Sequence, residues 1–144
     1  LKHYIELQKM RYGNTFDVEF QIDETLKSLP VPVLILQPLV ENSIIHGIRE
    51  MEDRGFIRVA ACWQGTQICL SVEDNGEGMD AERIRQVING VGSTDSIGIV
   101  NVKERMELYY RDSEFEILSE KGKGTRTQMV FSTGGRINEN SDCG

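Results

Sequence analysis

The sequence predicts an α+β fold, a two-layer α/β sandwich in which a mixed, mostly antiparallel sheet of about five strands is covered by about three helices. Residues 56–64 and 67–74 have the composition of strands, and Gly65-Thr66 between them is typical of a tight hairpin turn. Apolar residues recur at helical spacing between Leu36 and Arg49, which predicts an amphipathic helix. Further strands and helices follow in mixed order, so the helices can cover one face of a hairpin-built sheet.

The composition predicts one globular domain. The chain has 144 residues, 39% of them hydrophobic, and a net charge of −7. This length is enough for one hydrophobic core and too short for two domains. The acidic balance argues against non-specific nucleic-acid binding, which needs a basic surface. It leaves a phosphate ligand open, because backbone N–H groups and a metal ion also bind phosphate.

No apolar run approaches the ~20 residues of a membrane span, and the first residues lack the pattern of a signal peptide. Because the chain starts at Leu1 and not at Met, we expect it to be a fragment of a longer protein. The cysteines are odd in number and lack metal-ligand spacing. Cys62 and Cys69 lie in apolar strand patterns, which predicts that both are small buried residues in a reducing, cytosolic setting.

The first elements are a helix and a strand. Residues 1–12 have a helical pattern, and Gly13-Asn14 ends it. Residues 16–22 alternate between apolar and acidic or amide side chains, which predicts a half-buried strand. Residues 30–32, Pro-Val-Pro, predict an extended connector to the next helix.

The helix from Leu36 to Arg49 carries the first candidate site. At 100° per residue, Asn42, His46 and Arg49 share one face, while Val40 and Ile44, with Leu36 at their edge, lie on the opposite, core-facing side. An amide, an imidazole and a guanidinium on one face suit a polyanion and its metal. An ordinary solvated helix face is the alternative.

The second candidate site lies at the end of the strand 67–74. Ile68, Leu70, Val72 and Asp74 fall on the same face by the strand period of two. A carboxylate in a core-facing row costs free energy unless it has a partner. The pattern therefore indicates that Asp74 has a specific partner or ligand.

The rest of the chain predicts two helices and two strands. Asp80 caps a short helix, and the small polar residues 89–96 predict a mobile loop. Gly98 is predicted to open a helix that runs to about Arg111. Strands are predicted at residues 115–119 and 125–132, and residues 134–144 have the composition of a disordered tail.

Taken together, these stretches resemble the ATP-binding catalytic domain of sensor histidine kinases, which has the Bergerat fold of GHKL ATPases. LVENSIIHG is similar to the N box of that family, DNGEGM to its first glycine box, SIGIVNV to its second, and Gly122 to Thr125 to its G-x-G-T turn. YIELQKMR and LQPLVEN resemble the LytS/YesM branch. The resemblance runs from Leu1 to about Ser132. It implies the end of a dimerisation or linker helix at 1–13 and the ATP-binding domain at 14–133, before the tail at 134–144.

The resemblance assigns roles on the N-box helix. Asn42 would coordinate Mg²⁺ through its side-chain oxygen, and Glu41 would polarise the nucleophile as a general base. His46 and Arg49 would lie near phosphate or ribose. A solvated or structural role is the alternative for Glu41, His46 and Arg49.

The first glycine box would hold the base. Asp74 would accept a hydrogen bond from the adenine amino group, and Gly76 and Gly78 would let the backbone close on the ring. Met79 would pack against the ring, although a loop methionine is often simply a core residue. Thr125 would support the adenine-binding acid through its hydroxyl.

Residues 89–97 would form the ATP lid. Gly98 and Ile99 would then begin a helix whose free N–H groups face phosphate, and Asn101 in that helix would hold the lid. Ser96 occupies a position where the family usually has glycine. The resemblance therefore does not imply the closest approach of backbone N–H groups to the phosphates.

The implied activity is transfer of the ATP γ-phosphoryl group to a histidine on a dimerisation domain absent from this chain. The implied partners are ATP, that domain and, through it, a response regulator. No nucleic acid is implied. The parent would be a homodimeric, membrane-anchored sensor with this domain in the cytoplasm. A serine kinase of the anti-sigma-factor type and a nucleotide-gated interaction module without turnover are the alternatives.

Overall fold

The computed structural model describes residues 1–31, 35–49, 51–91, 94–110 and 112–133. The predicted tail at 134–144 lies outside these ranges, and so does part of the predicted lid, residues 92–93. Within the described residues, no helix is both long and apolar enough to cross a membrane.

One mixed sheet forms the first layer. Its strands are β1 (Phe16–Ile22), β2 (Gly55–Gln64), β3 (Gln67–Asp74), β4 (Glu114–Glu120) and β5 (Gly124–Phe131), in the spatial order β1-β2-β3-β5-β4. β1 runs parallel to β2, and the other neighbours are antiparallel. The predicted mixed, mostly antiparallel sheet is therefore confirmed. Parallel neighbours need a crossover connection, and the crossover between β1 and β2 contains the N-box helix.

Helices form the second layer. α1 spans Lys2–Arg11, α2 Leu36–Asn42, α3 Ala81–Ile88 and α4 Thr94–Tyr109. α2 continues as a π-helical turn over Ser43–Ile48. Such turns are rare and are frequent at functional sites.

The core lies between the inner face of the sheet and α2, α3 and α4. Its buried side chains include Val40, Ile44, Ile57, Val59, Leu70, Val72, Ile99, Val102, Met106, Met129 and Phe131. Burial of each large apolar side chain contributes about 1.5–3 kcal/mol. Val40 and Ile44 are buried as the helical pattern predicts, and the core fixes α2 and its π turn against the end of β3.

The predicted start of α4 is wrong. The helix begins at Thr94 and not at Gly98, so Gly98 lies in its second turn. The physical reason is local, since an aspartate in the first turn stabilises a helix N-terminus, and a single glycine costs an established helix only about 1 kcal/mol.

The predicted burial of the cysteines is half right. Cys69 is buried, whereas Cys62 is exposed. Both side chains lie on the outer face of the sheet, opposite to Ile57, Val59 and Val72. That face has no helix layer in the described part of the chain, so burial there depends on neighbouring strands. Cys69 lies on the central strand β3, between β2 and β5, whereas Cys62 has β3 on one side and lies just past the end of the pairing with β1 on the other.

Candidate nucleotide site

Asp74 is a buried carboxylate at the junction of the two layers. It is the last residue of β3 and is 6% exposed. The Ser43 hydroxyl donates to Asp74 Oδ2 at 2.7 Å, and the Gly76 N–H donates to Oδ1 at 2.9 Å. The partner that the sequence requires for this carboxylate is therefore Ser43, from the π turn.

Burial raises the pKa of the Asp74 carboxyl above its ordinary value. Hydrogen bonds from Ser43 and from the backbone N–H groups of Gly76 and Thr125 act in the opposite direction and lower it. Each of these donors stabilises the ionised form, which would otherwise be costly in a site with little water. The carboxylate is thus held in one orientation with lone pairs left for a further donor.

Gly47 lets the π turn approach Asp74. A Cβ at this position would lie 2.9 Å from Asp74 Oδ1. A Cβ on Gly76 would collide with the backbone of Gly47, and the Glu77 N–H donates to the Gly47 carbonyl at 3.1 Å. The helix end and the loop after β3 are therefore in direct backbone contact.

The turn between β4 and β5 holds the same loop from its other side. The Gly122 N–H donates to the Glu77 carbonyl at 2.6 Å, and the Met79 N–H donates to Ser119 Oγ at 2.7 Å. Gly78 lies against the Glu120 backbone, where a Cβ would collide. The backbone of residues 76–79 is therefore fixed by two elements.

The Thr125 hydroxyl lies beside Ser119, and its expected support of the adenine-binding acid stays a prediction. Thr125 Oγ1 lies 2.8 Å from Ser119 Oγ, and it is the Thr125 backbone N–H that reaches Asp74. The antiparallel register places Thr125 directly opposite Asp74. A residue in that position can supply its backbone donor whatever its side chain does.

Sequence reasoning missed Ser43, Gly47 and Ser119 as site residues. Ser43 and Gly47 are small residues four positions apart in a helical stretch whose other core-facing residues are large and apolar. That spacing places both on one helix face and could have indicated a close approach to another element. No comparable signal marks Ser119, whose role depends on the fold of a distant loop.

The remaining N-box residues lie at the surface next to this centre. Asn42 is half-buried, and Glu41, His46 and Arg49 are exposed. Burial, and then the charge of Glu41, raise the pKa of Tyr4 to about 12, so α1 lies beside Glu41. Asn42 immediately precedes Ser43, the hydrogen-bond partner of Asp74. Glu41 is exposed, so an approaching group can reach it.

The second glycine box is built into α4. A Cβ on Gly98 would contact only Pro38 Cβ, at 3.9 Å, so Gly98 packs against the start of α2. Ile99 is a core residue at 2% exposure, and Asn101 is exposed. Ser96 is fully buried, and its hydroxyl donates to the Val91 carbonyl at 3.4 Å. The expectation that Gly98 offers a free helix N-terminus is wrong here, because the free N–H groups of a helix belong to its first turn.

A depression of about 370 Å³ lies at the ends of β3, β4 and β5. Its lining includes Asp74, Ser119, Lys123, Thr125 and Arg126, which belong to these strands and to the turn between β4 and β5. The Asp74 carboxylate points instead to Ser43 of the π turn. The candidate nucleotide site is therefore the Asp74 centre between the layers and not this depression.

Residues 31–134 match the family model of histidine kinase-, DNA gyrase B-, and HSP90-like ATPases. The chain is 34% identical to sensor histidine kinase YpdA of Escherichia coli over 110 residues, 76% of this chain and 19% of that protein. It is 35% identical to sensor histidine kinase YesM of Bacillus subtilis over 132 residues, 91% of this chain and 22% of that protein. It thus spans about a fifth of the length of each of these two relatives.

Among solved structures, the catalytic domain of the histidine kinase ThkA has a TM-score of 0.68 at 15% identity. The match covers 90% of this chain and 84% of that chain. At this identity the likeness concerns the fold alone, and it agrees with the two-layer sandwich described above.

Replacing Asp74 with Asn should change how stability depends on pH. Since the folded pKa of Asp74 is raised, the parent loses stability as pH rises from the ordinary carboxyl value through the folded value. The amide does not ionise, and the Ser43 hydroxyl can rotate to accept from it. The free energy of unfolding of Asp74→Asn, relative to the parent, should therefore rise with pH. Urea unfolding between pH about 4 and about 8 measures this, and a difference that is constant with pH would contradict it.

Alanine at Gly47 and at Gly98 should have opposite effects on stability. Gly47→Ala inserts a methyl group against Asp74, which should cost about 1–3 kcal/mol. Gly98→Ala meets only ordinary contact with Pro38 and removes a helix-interior glycine, which should stabilise by about 0.5–1 kcal/mol. Thermal and urea unfolding of both variants check this. Equal effects would show that the approach of Gly47 to Asp74 is not tight.

Proposed function

This chain belongs to the family of histidine kinase-, DNA gyrase B- and HSP90-like ATPases, and from that premise we propose that it is the ATP-binding catalytic domain of a two-component sensor histidine kinase. In the full-length protein it transfers the ATP γ-phosphoryl group to a histidine on a dimerisation domain. That histidine then passes the phosphoryl group to a response regulator. That parent is a homodimer anchored in a membrane, with this domain on the cytoplasmic side. The likeness to YesM and YpdA supports the sensor-kinase branch.

The buried, donor-held carboxylate of Asp74 is the observation that carries nucleotide binding. Its hydrogen bonds to Ser43 and Gly76 fix its orientation, and its desolvation favours any ligand that brings one more donor. The exocyclic amino group of adenine is such a donor. Guanine has a carbonyl oxygen at the same ring position, which a carboxylate repels, so the site favours adenine over guanine.

The backbone next to Asp74 suits a flat ring. Residues 76–79 are bonded on one side to Gly47 and on the other to Ser119 and Gly122. A loop held in this way needs no reordering when the base enters, which lowers the entropic cost of binding. Met79 packs against the ring in this proposal, and its partial burial beside the core supports that role.

Residues of α2 and α4 bind the triphosphate and Mg²⁺ in this proposal. Asn42 is half-buried at the end of α2, and its side-chain oxygen is a ligand that a hard cation accepts. In the described part of the chain no three carboxylate, histidine or cysteine side chains come together. The remaining ligands of the ion would be phosphate oxygens and water, as is usual for Mg²⁺ with a nucleotide.

The exposed side chains complete the proposed site. His46 and Arg49 bring positive or hydrogen-bonding groups to phosphate or ribose, and Asn101, which is exposed on α4, holds the lid. Glu41 acts on the incoming phosphoryl acceptor as a general base. Its exposure supports this role, because the acceptor must arrive from another domain. α1, beside Glu41, is the end of the dimerisation region, with 14–133 as the catalytic domain.

Asp74→Asn should abolish adenine-nucleotide binding while the domain stays folded. The loss of a charged, buried hydrogen bond costs about 2–3 kcal/mol, roughly 30- to 150-fold in Kd. Isothermal titration with Mg-ATP and Mg-ADP measures the effect. Glu73→Gln is the matched control, since Glu73 is the preceding residue on the opposite face of β3 and should bind like the parent. Binding by Asp74→Asn within a factor of about two of the parent would exclude this position for adenine.

Asn42→Ala should weaken ATP binding more with Mg²⁺ than with EDTA, because the amide acts through the metal. Loss of one ligand of a bound ion should cost on the order of tenfold in affinity. The titration is repeated under both conditions, with Gln37→Ala on the same helix as control. An equal loss under both conditions would mean that Asn42 contacts the nucleotide directly or only supports packing.

A further inference from the structure

Two thiols face each other on the outer side of the sheet, away from the nucleotide site. Cys62 of β2 and Cys69 of β3 are directly opposite in the antiparallel register. Both are free thiols; Cys62 is exposed and Cys69 is 6% exposed. Asp74 lies five residues further along β3, about 17 Å away at the strand rise. The proposed nucleotide chemistry does not use this pair.

We propose that Cys62 and Cys69 are a redox site, at which a hydroperoxide converts the two thiols into a reversible intrachain disulfide. The exposed Cys62 reacts first and the buried Cys69 resolves the product. The proposal is independent of the proposed kinase function.

The backbone register allows the bond. The Asn75 N–H donates to the Phe56 carbonyl at 3.2 Å, which marks a hydrogen-bonded pair at the end of the β2–β3 ladder. Hydrogen-bonded pairs recur at every second position, so Cys62 and Cys69 form one, with Cα atoms about 5.5 Å apart. Disulfides span Cα separations of about 4.4–6.8 Å.

The same register makes the disulfide easy to reduce. Cβ atoms of directly opposed residues are about 4.5–5.5 Å apart and are furthest in hydrogen-bonded pairs. A disulfide prefers about 3.5–4.5 Å, so the strands must draw together by roughly an ångström when the bond forms. Strained bonds of this kind are the labile and regulatory ones, which is why the proposed disulfide is reversible.

The chemistry balances with one equivalent of hydroperoxide. The Cys62 thiol ionises, its thiolate attacks the terminal oxygen of ROOH, and the O–O bond breaks. Cys62 becomes a sulfenic acid, and the alkoxide takes up the proton that the thiol released and leaves as ROH. The Cys69 sulfur then attacks Cys62 Sγ, the S–O bond breaks, and water leaves with the thiol proton. Two thiols are oxidised, and the peroxide is reduced to an alcohol and water.

The surroundings of Cys69 fit a resolving thiol better than a first reactant. Burial, and then the neighbouring Cys62, raise the pKa of the Cys69 thiol, while Arg126 acts to lower it. A thiol of this kind is mostly protonated and reacts slowly with a dissolved oxidant. A metal site is a poor alternative, since a structural zinc needs four ligands and the described residues gather no third one around the pair.

The test uses the full chain with Cys143→Ser, which removes the third cysteine. The protein is treated with hydrogen peroxide, free thiols are alkylated, and intact mass and non-reducing peptide maps are recorded. We expect the loss of two hydrogen atoms per chain and a single linked pair of peptides containing Cys62 and Cys69. Dithiothreitol should restore both thiols, and circular dichroism should be the same in both states.

Two further variants separate the roles of the thiols. With Cys69→Ser, Cys62 should remain a sulfenic acid that dimedone traps. The matched control, Cys69→Ser with Ser71→Cys, moves the second thiol two residues along the same face of β3, to a diagonal separation of about 7–8 Å. It should give no intrachain link. The proposal is overturned if the parent pair gives no linked peptide, links only between chains, or accumulates sulfinic acid on Cys62 while Cys69 stays alkylatable.

Discussion

The hydrogen bond from the Ser43 hydroxyl to the buried carboxylate of Asp74, 2.7 Å long, is the interaction around which the two layers are fitted together. A carboxylate at this depth is costly unless several donors reach it. The π turn supplies the hydroxyl, the loop after β3 supplies the Gly76 N–H, and β5 supplies the Thr125 N–H. Three elements that are distant in sequence must therefore meet at one point, and this requirement fixes the end of α2 on the end of β3.

The close approach also explains the shape of the loop that follows. Gly47 has no side chain to separate the π turn from Asp74, and its carbonyl accepts from the Glu77 N–H. The β4–β5 turn then bonds the same loop through Gly122 and Ser119. The floor of the proposed adenine site is therefore the backbone of residues 76–79, held mainly by hydrogen bonds to the backbones of Gly47 and Gly122. The proposed phosphate-binding and acceptor-facing groups are side chains at the surface, where a mobile substrate can reach them.

The two faces of the sheet are chemically separate. The inner face ends in Asp74 and packs against the helices, and the outer face carries exposed charges and the pair Cys62 and Cys69. Arg58 lies between Glu19 and Glu73 on that outer face, and exposed pairs of this kind contribute at most about 1 kcal/mol each. Chemistry on the outer face can thus proceed without displacing the groups that hold the proposed nucleotide site.

The sequence by itself determined the strands, the hairpin, the buried stripe of α2 and the burial of Asp74, because these follow from local periodicity and from the cost of a buried charge. The order of its motifs also indicated the family. Only the tertiary structure decided that Ser43 is the partner of Asp74 and that Gly47 lets the π turn approach this carboxylate. It also decided that the backbone of Thr125 is bonded to Asp74 and that Cys62 is exposed. Ser43 and Asp74 are 31 residues apart, and no local pattern states which distant groups meet. The start of α4 at Thr94 is a smaller case of the same kind, since a glycine alone does not determine where a helix begins.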